Sequence, residues 1–543
     1  MRASFNAKRT GKTPRPMVAR GASIPAPVEG WDAVSPIANM KPTRAVRLIN
    51  WFPQPDWVEL RRGFTRHCDT MSGAPVETIA AYQGVSSNAM FAASVDTIYN
   101  VTSSVATADV TGLTNARFQF TNFATTGGNF LYMVNGADVP QYYDGTSWAT
   151  ATITGTGISS TDFIHVVPHK NRLWFTIAGS SDAAYLPVDS IQGTATKFPI
   201  GGNWSLGGFL MAICSWSLDA GDGPDDYIAF ISSKGQVSVY QGIDPASDFK
   251  IVGTFYTGSP IGRRCFTKVG ADIALICIDG VVPLSKALIF ERAAVAKVTM
   301  TERIQRVMNN SARQFGDNFG WQLISYPRGT RAILNVPISE NGEQQQYVMN
   351  TLNGAWCQFT GMNGSCWEIF DERPFFGGND GAVYEADRSG TDYGRTLSAD
   401  MMTAFDYYKS RGHQKRWTMC RPQLTTDSQV QPGIAFNVDF QTNAPISVSQ
   451  TPASFASLWD ASLWDQAQWG GQIQTKADWT SVVGMGYCAS IRMVVDIQSS
   501  IAGGGALWGI SLWGVNEWAI PDGAEITLQV NGFDLLMADG AFI

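Results

Sequence analysis

The chain predicts an all-β fold: a β-propeller of about six blades, a short helical connector, and an additional C-terminal β-sandwich-like domain. Three observations predict it. Short strand-like runs follow one another from about residue 44 to 390. Tight-turn signals punctuate them at Asn135-Gly136, Asp144-Gly145, Asn353-Gly354 and Asn379-Asp380-Gly381. Their spacing suggests radial repetition of small antiparallel sheets, an arrangement that protects edges from pairing with other chains. A long sandwich or several small barrels would carry similar signals, because periodicity does not set topology.

Residues 1 to 43 read as a basic N-terminal arm. Arg2, Lys8, Arg9, Lys12, Arg15 and Arg20 all precede the first acid, Glu29. Pro and Ala are frequent and no period is sustained, so the segment is expected to order only on a partner. The propeller is placed over residues 44 to 390. It opens at Arg44 to Phe64, RAVRLINWFPQPDWVELRRGF, with Pro53 and Pro55 marking a turn. Further runs follow, among them NFLYMVNGADVPQYYDGTSW and DFIHVVPHKNRLWFTIAG, the latter with a turn at Pro168 to Asn171. Asp226 to Leu288 alternates short strands with Gly, Asp and Pro turns and reads as blade material.

One helix stands out. Thr299-Met300-Thr301-Glu302 fits a capping box, and Ile304, Val307 and Met308 then fall on one helical face. Leu284 to Val298 reads as a second helix or a strand pair. Arg263, Arg264, Lys268, Arg303 and Arg306 form a candidate basic cluster for a gate or an interface; a solvated, salt-bridged edge is the alternative.

Residues 391 to 543 shift in composition and read as a separate β domain with two Trp-rich inserts. The first holds Trp459, Trp464 and Trp469, and the second Trp508, Trp513 and Trp518. Each follows the pattern LW-x3-LW-x4-W, a spacing of five that is neither helical nor strand-like. These tryptophans are candidate interface anchors. Hairpins stacking on their own domain, or sugar stacking, would use the same residues.

Composition bounds the function. The 543 residues are 16% charged and 12% aromatic, with 18 Trp. Ordinary soluble proteins are roughly 25% charged. This balance suits either large subunit contacts or big β cores. Net charge is -7 although the first 28 residues are purely basic, so the body is acidic and unlike a sequence-specific DNA reader. Eight Cys without a C-x-x-C pair read as reduced, buried thiols. The adjacent His67 and Cys68 are too sparse for a zinc site. No metal or cofactor is expected, and neither an apolar membrane span nor a signal peptide is read.

No G-x-S-x-G turn, P-loop or H-E-x-x-H occurs. GGNDG at Gly377 to Gly381 reads as a turn between strands. The acid pairs Asp225-Asp226 and Asp371-Glu372 read as solvated turns. A propeller glycosidase would need two carboxylates facing one cleft.

Four stretches carry a resemblance: GRRCFTKVG (Gly262 to Gly270), DGVVPLSKAL (Asp279 to Leu288), QYVMNTLNGAWCQFTG (Gln346 to Gly361) and FFGGNDGAVYEAD (Phe375 to Asp387). Together with the opening run they resemble the tail nozzle proteins of short-tailed bacteriophages, also called tail tubular protein B or packaged DNA stabilisation protein, from about residue 40 to the end. The resemblance implies a structural virion protein without enzymatic activity. It implies a homo-hexameric ring below the head-to-tail adaptor ring, with tail fibres or spikes as further partners. Double-stranded DNA would be retained by this ring and pass through it without sequence specificity. Synthesis and assembly would occur in the bacterial host cytoplasm. The alternative reading is a propeller-type tail component that binds or cleaves host glycan.

Overall fold

The computed structural model describes residues 20–70, 72–216, 227–270, 272–287, 298–446, 449–450, 473–498 and 526–539. Six small sheets are arranged as a six-bladed propeller. Blade 1 comprises Val76–Gln83, Asn88–Ser94, Thr97–Asn100 and Thr107–Val110. Blade 2 comprises Gln119–Thr125, Gly128–Val134, Gln141–Tyr143 and Trp148–Thr150. Blade 3 comprises Phe163–His169, Arg172–Ile177, Asp182–Tyr185 and Thr196–Pro199. Blade 4 comprises Leu210–Trp216, Tyr227–Ser232, Gln236–Gln241 and Lys250–Tyr256. Blade 5 has three strands, Phe266–Val269, Asp272–Cys277 and Gly280–Pro283. Blade 6 is Gly364–Phe370, Arg373–Gly378 and Ala382–Ala386, completed by the N-terminal strand Phe64–Asp69.

The second strands explain why the blades form. In blades 3 to 6 each begins with a half-buried residue and then buries five in succession. A blade is covered on both faces by its neighbours, so its inner strands read as continuous apolar runs rather than as alternation. Separate apolar cores fill the gaps between blades 1 and 2, 2 and 3, 3 and 4, and 4 and 5, and another joins blade 6 to blade 1. Between blades 5 and 6 the circuit passes through a larger sheet whose strands Gln322–Tyr326, Arg331–Pro337, Gln344–Asn350 and Trp356–Thr360 pack on both.

That eight-stranded sheet continues through Ala45–Ile49, Leu397–Thr403, Ala489–Ile497 and Gly433–Val438. It faces a seven-stranded sheet built on Trp51–Pro53, Val58–Leu60, Leu528–Asp539, Lys415–Thr426 and Gln474–Lys476, with Arg20–Pro25 and Thr480–Gly486 added alongside. Lys415–Thr426 buries alternate residues over most of its length, as a strand with one face on a core should. One apolar core runs between the two sheets and on into blade 6.

Three expectations are corrected here. Arg20–Pro25, read as arm, is a strand paired with Gly532 to Met537; Ile24 buries in the sandwich core, a signal hidden among the neighbouring prolines. Ala45–Ile49, Trp51–Pro53 and Val58–Leu60, read as the first blade, belong to the sandwich sheets. The capping box does not form. A single 3-10 turn covers Glu302–Ile304 and the α-helix is Gln305–Phe315, with no side-chain cap at either start. The Thr299 and Thr301 hydroxyls both donate to Gln305 Oε1 instead, at 3.0 Å each. Within Leu284 to Val298 the described residues are Leu284–Ala287, one helical turn, and Val298, which packs on the core between blades 4 and 5.

Candidate functional site

The site lies where non-adjacent blades meet, at the propeller axis. The first strands of blades 1, 3, 4 and 6 each carry a bulge near their start. In blade 1 the extra residue is Glu77. Its carboxylate accepts from Arg117 Nε at 2.9 Å. A bulge re-aims side chains in this way at the inner rim of a sheet.

Arg264, on the loop entering blade 5, crosses the axis. Its Nη2 donates to Glu77 O (2.9 Å), Thr78 Oγ1 (2.9 Å) and Phe118 O (3.2 Å), and its Nη1 lies 3.5 Å from Gln322 Oε1. Thr78 Oγ1 in turn donates to Ala116 O at 2.7 Å. Gln322 binds both the N–H and the C=O of Trp367 in blade 6. One guanidinium thus links blade 5 to blades 1 and 2 and, through Gln322, approaches the contact to blade 6. Burial pulls the Arg264 pKa below its ordinary value, against nearby carboxylates that raise it.

Two further titratable groups sit in inner strands. Burial pushes the Glu368 carboxyl of blade 6 up to about 8, even with a backbone N–H and the Arg264 charge opposing the shift. Burial holds His165 of blade 3 down to about 4; its Nδ1 finds no partner among the described residues and its ring lies 5.6 Å from that of Phe266. Their effects on stability have opposite signs. Folded Glu368 keeps its proton up to about 8 while the unfolded side chain releases it near 4.5, so its contribution falls as pH rises through that window. Unfolded His165 takes up a proton below 6.5 and folded His165 only near 4, so its contribution is lost as pH falls below 6.5. Between 6.5 and 8 Glu368 acts alone of the two. Urea midpoints of the wild-type chain should therefore drop across that interval, and Glu368→Gln should flatten the drop. An unchanged slope in Glu368→Gln would count against the burial account.

At one mouth of the axis the chain leaves a cleft of about 660 Å³. Its walls come from blades 1 and 2, the loop before blade 5, and Gly316 to Trp321 after the helix. Arg117 and Arg264 both address the Phe319 ring, at 4.4 and 5.2 Å from its centroid. Arg117 is neutralised by Glu77 and by Glu340, 2.6 Å away. Arg263 is exposed and, among the described residues, donates to Asn135 O alone, at 3.2 Å.

The predicted basic cluster therefore divides. Arg263 and Arg264 reach the axis. Lys268 is exposed on blade 5. Arg303 donates to Glu29 O at 2.7 Å and pairs with its carboxylate at 3.5 Å, which makes it a clamp on the N-terminal segment. Arg306 is exposed on the helix. Trp459, Trp464, Trp469, Trp508, Trp513 and Trp518 lie outside the described residues, as do Arg2, Lys8, Arg9, Lys12 and Arg15. Arg20 enters only through its backbone pairing with Met537. Sequence reasoning missed Glu77, Arg117, Gln119, Phe319 and Glu368, which no local motif marks.

All eight cysteines are buried free thiols. His67 Nε2 bonds to Val101 O at 2.8 Å, and no group of three or more His, Cys, Asp or Glu among the described residues is placed to hold a metal. Asp371 and Glu372 form an exposed turn with φ of 46° and 60°. No helix among the described residues is long and apolar enough to cross a membrane.

No family model and no curated protein matches the chain. Some solved structures show low similarity to it. One is the extracellular domain of a B. thetaiotaomicron protein described as a hybrid two-component system, 11% identical with a TM-score of 0.38, covering 60% of this chain and 41% of that one. A second B. thetaiotaomicron extracellular domain, described as a one-component system, is 9% identical with a TM-score of 0.42, covering 83% and 63%. The computationally designed Ika8 protein is 10% identical with a TM-score of 0.35, covering 60% and 100%. The chain thus spans about two fifths of the first of these, and none assigns it an activity.

Proposed function

We propose that the chain is a structural subunit of a short-tailed phage tail nozzle, in which six copies surround the channel below the head-to-tail adaptor. In this reading it performs no reaction, is assembled in the host cytoplasm and ends in the virion tail. The resemblance over residue 40 onward supports it. One structural observation carries it further: an apolar row faces outward on Thr480–Gly486. Val483, Met485 and the following Tyr487 are 87%, 60% and 48% exposed. Among the described residues this strand pairs only with Lys415–Thr426 and no strand covers its second edge. Open apolar edges are a hazard to an isolated chain and suit a subunit contact. The bridged axis adds a constraint: DNA would pass between subunits, not through a propeller that Arg264 crosses.

Mass measurement with the adaptor should give six copies. Val483→Glu combined with Met485→Glu should weaken association by about 30-fold or more, corresponding to about 2 kcal/mol at a hot spot, while leaving the free subunit folded. A chain that stays monomeric beside its adaptor would sink the proposal. The cleft at the propeller mouth favours a second reading, a propeller that binds host-surface glycan.

A further inference from the structure

We infer that the contact between copies is head-to-tail: the sandwich edge strand Thr480–Gly486 of one copy adds, antiparallel, to the outer strand of blade 4, Lys250–Tyr256, in the next. The inference rests on the nozzle reading and names the surface that the uncovered sandwich edge meets.

The first ground is which sheet edges are guarded. An outer strand invites another chain unless it is short or carries charge, Pro or a bulge. Blade 1 ends in Thr107–Val110, with Asp109. Blade 2 ends in three residues, Trp148–Thr150. Blade 3 ends in Thr196–Pro199, with Lys197 and Pro199. Blade 5 stops at its third strand, which closes on Pro283. Blade 6 ends in Phe64–Asp69, with Arg66 and Asp69. The outer strand of blade 4 differs: it is seven residues long, has no Pro and has no charge after Lys250. Its guard is a bulge, and the residue that the bulge adds, Val252, is itself 53% exposed. Ile251 and Tyr256 are 45% and 47% exposed, and Leu206 and Ile243, at the two ends of the strand, are exposed as well. Thr480–Gly486 matches it, with seven residues, no charge, no Pro and no covering strand among the described residues. Two different unguarded edges on one subunit make a heterologous contact, the kind that can close into a ring.

The second ground is charge, and it sets the direction. Lys234 lies at the Tyr256 end of the blade 4 strand, in the turn before Gln236, which pairs with Tyr256. Arg416 lies across from Met485, at the Gly486 end of the sandwich edge. Both side chains are exposed, and neither has an ionic partner among the described residues. Exposed carboxylates lie at the opposite ends. Asp248, two residues ahead of Lys250, accepts from the Ile243 and Asp244 N–H groups. Asp478, two residues ahead of Thr480, pairs with Lys476 at 3.7 Å. Lys250 and Lys476 stay beside the carboxylates of their own copy in either direction. Antiparallel pairing brings Lys234 to Asp478 and Arg416 to Asp248, whereas parallel pairing would set the two lone cations together. Charges arranged in this way fix orientation at a contact.

The test uses the full-length chain with its adaptor. The native cysteines are all buried, so added ones can be addressed with a short bis-maleimide. Ile251→Cys mixed with Met485→Cys should crosslink about 10-fold or more above Ile251→Cys mixed with Ser481→Cys, because antiparallel pairing sets Ser481 about four strand residues away. In the unmodified chain, amide exchange should slow about 10-fold or more on assembly in both Lys250–Tyr256 and Thr480–Gly486. Crosslinking of Met485→Cys to itself would mean that sandwich edges pair with each other, and would overturn the inference. A preference for Ser481→Cys would do the same, as would six-copy assemblies in which exchange slows at one of the two strands alone or at neither. Those outcomes leave the nozzle reading standing, since mass measurement still reports six copies. A chain that stays monomeric beside its adaptor would end both.

Discussion

Arg61→Met should destabilise the folded chain by about 3–5 kcal/mol, the cost of leaving one charge of a buried pair uncompensated. Arg61 and Asp392 side chains are 1% and 7% exposed. All five guanidinium donors are used. Nε donates to Asn50 Oδ1 (2.8 Å), Nη1 to Arg62 O (3.0 Å) and Asp392 Oδ1 (2.8 Å), and Nη2 to Thr360 O (2.6 Å) and Asp392 Oδ2 (2.6 Å). Asn50, at φ 58°, then donates to Ser398 O and receives Thr360 N. The network therefore ties the chain ahead of the propeller to the segment leaving blade 6 and to the eight-stranded sheet. Urea unfolding, followed by tryptophan fluorescence, would measure the loss. Adding Asp392→Leu to Arg61→Met should recover part of it, because the orphaned carboxylate is then gone. A single-variant loss below 1 kcal/mol would show that the pair does not hold the two regions together.

Trp417→Ala should cost about 3–5 kcal/mol, in the range for truncating a fully buried aromatic. Trp417 is 1% exposed in the core between the two large sheets. Its ring lies 5.3 Å from Phe436 on the facing sheet and 5.8 Å from Tyr408. The sheets approach closely here. A Cβ at Gly484 would clash with Val438 Cγ2 at 2.7 Å, and one at Gly486 would meet the same side chain and the Asp439 carboxylate. Walls this close cannot collapse fully into a cavity, so the truncation cost should stay near the upper end. Trp417→Phe should cost far less, since the indole N–H finds no acceptor among the described residues and its loss is no penalty. Equal losses for Ala and Phe would point to the N–H and against packing.

Much of the propeller was legible because its determinants are local. Left-handed turn residues such as Lys170-Asn171 and Asp371-Glu372 end strands where the sequence places turns. GGNDG does close the hairpin between Arg373–Gly378 and Ala382–Ala386. Cysteine spacing anticipated buried thiols. The sandwich boundaries were not legible. Arg20–Pro25 and Leu528–Asp539 are neighbours in space and some five hundred residues apart in the chain, and no local pattern encodes such a partner. The capping box failed for a similar reason: Gln305 offers Thr299 and Thr301 a nearer acceptor once the helix packs beside Gly280.

What the sequence determined by itself is the kind of element and where each one turns, because backbone preferences of Gly, Asn and Asp and the length of apolar runs act over a few residues. Only the tertiary structure decided which arginines matter. Arg263 and Arg264 are adjacent and identical in sequence terms, yet one is exposed at a cleft and the other spans three blades. Arg303 and Arg306, read with them, serve elsewhere. The worth of a charge depends on its burial and its partners, and those come from the ring's closure around its axis.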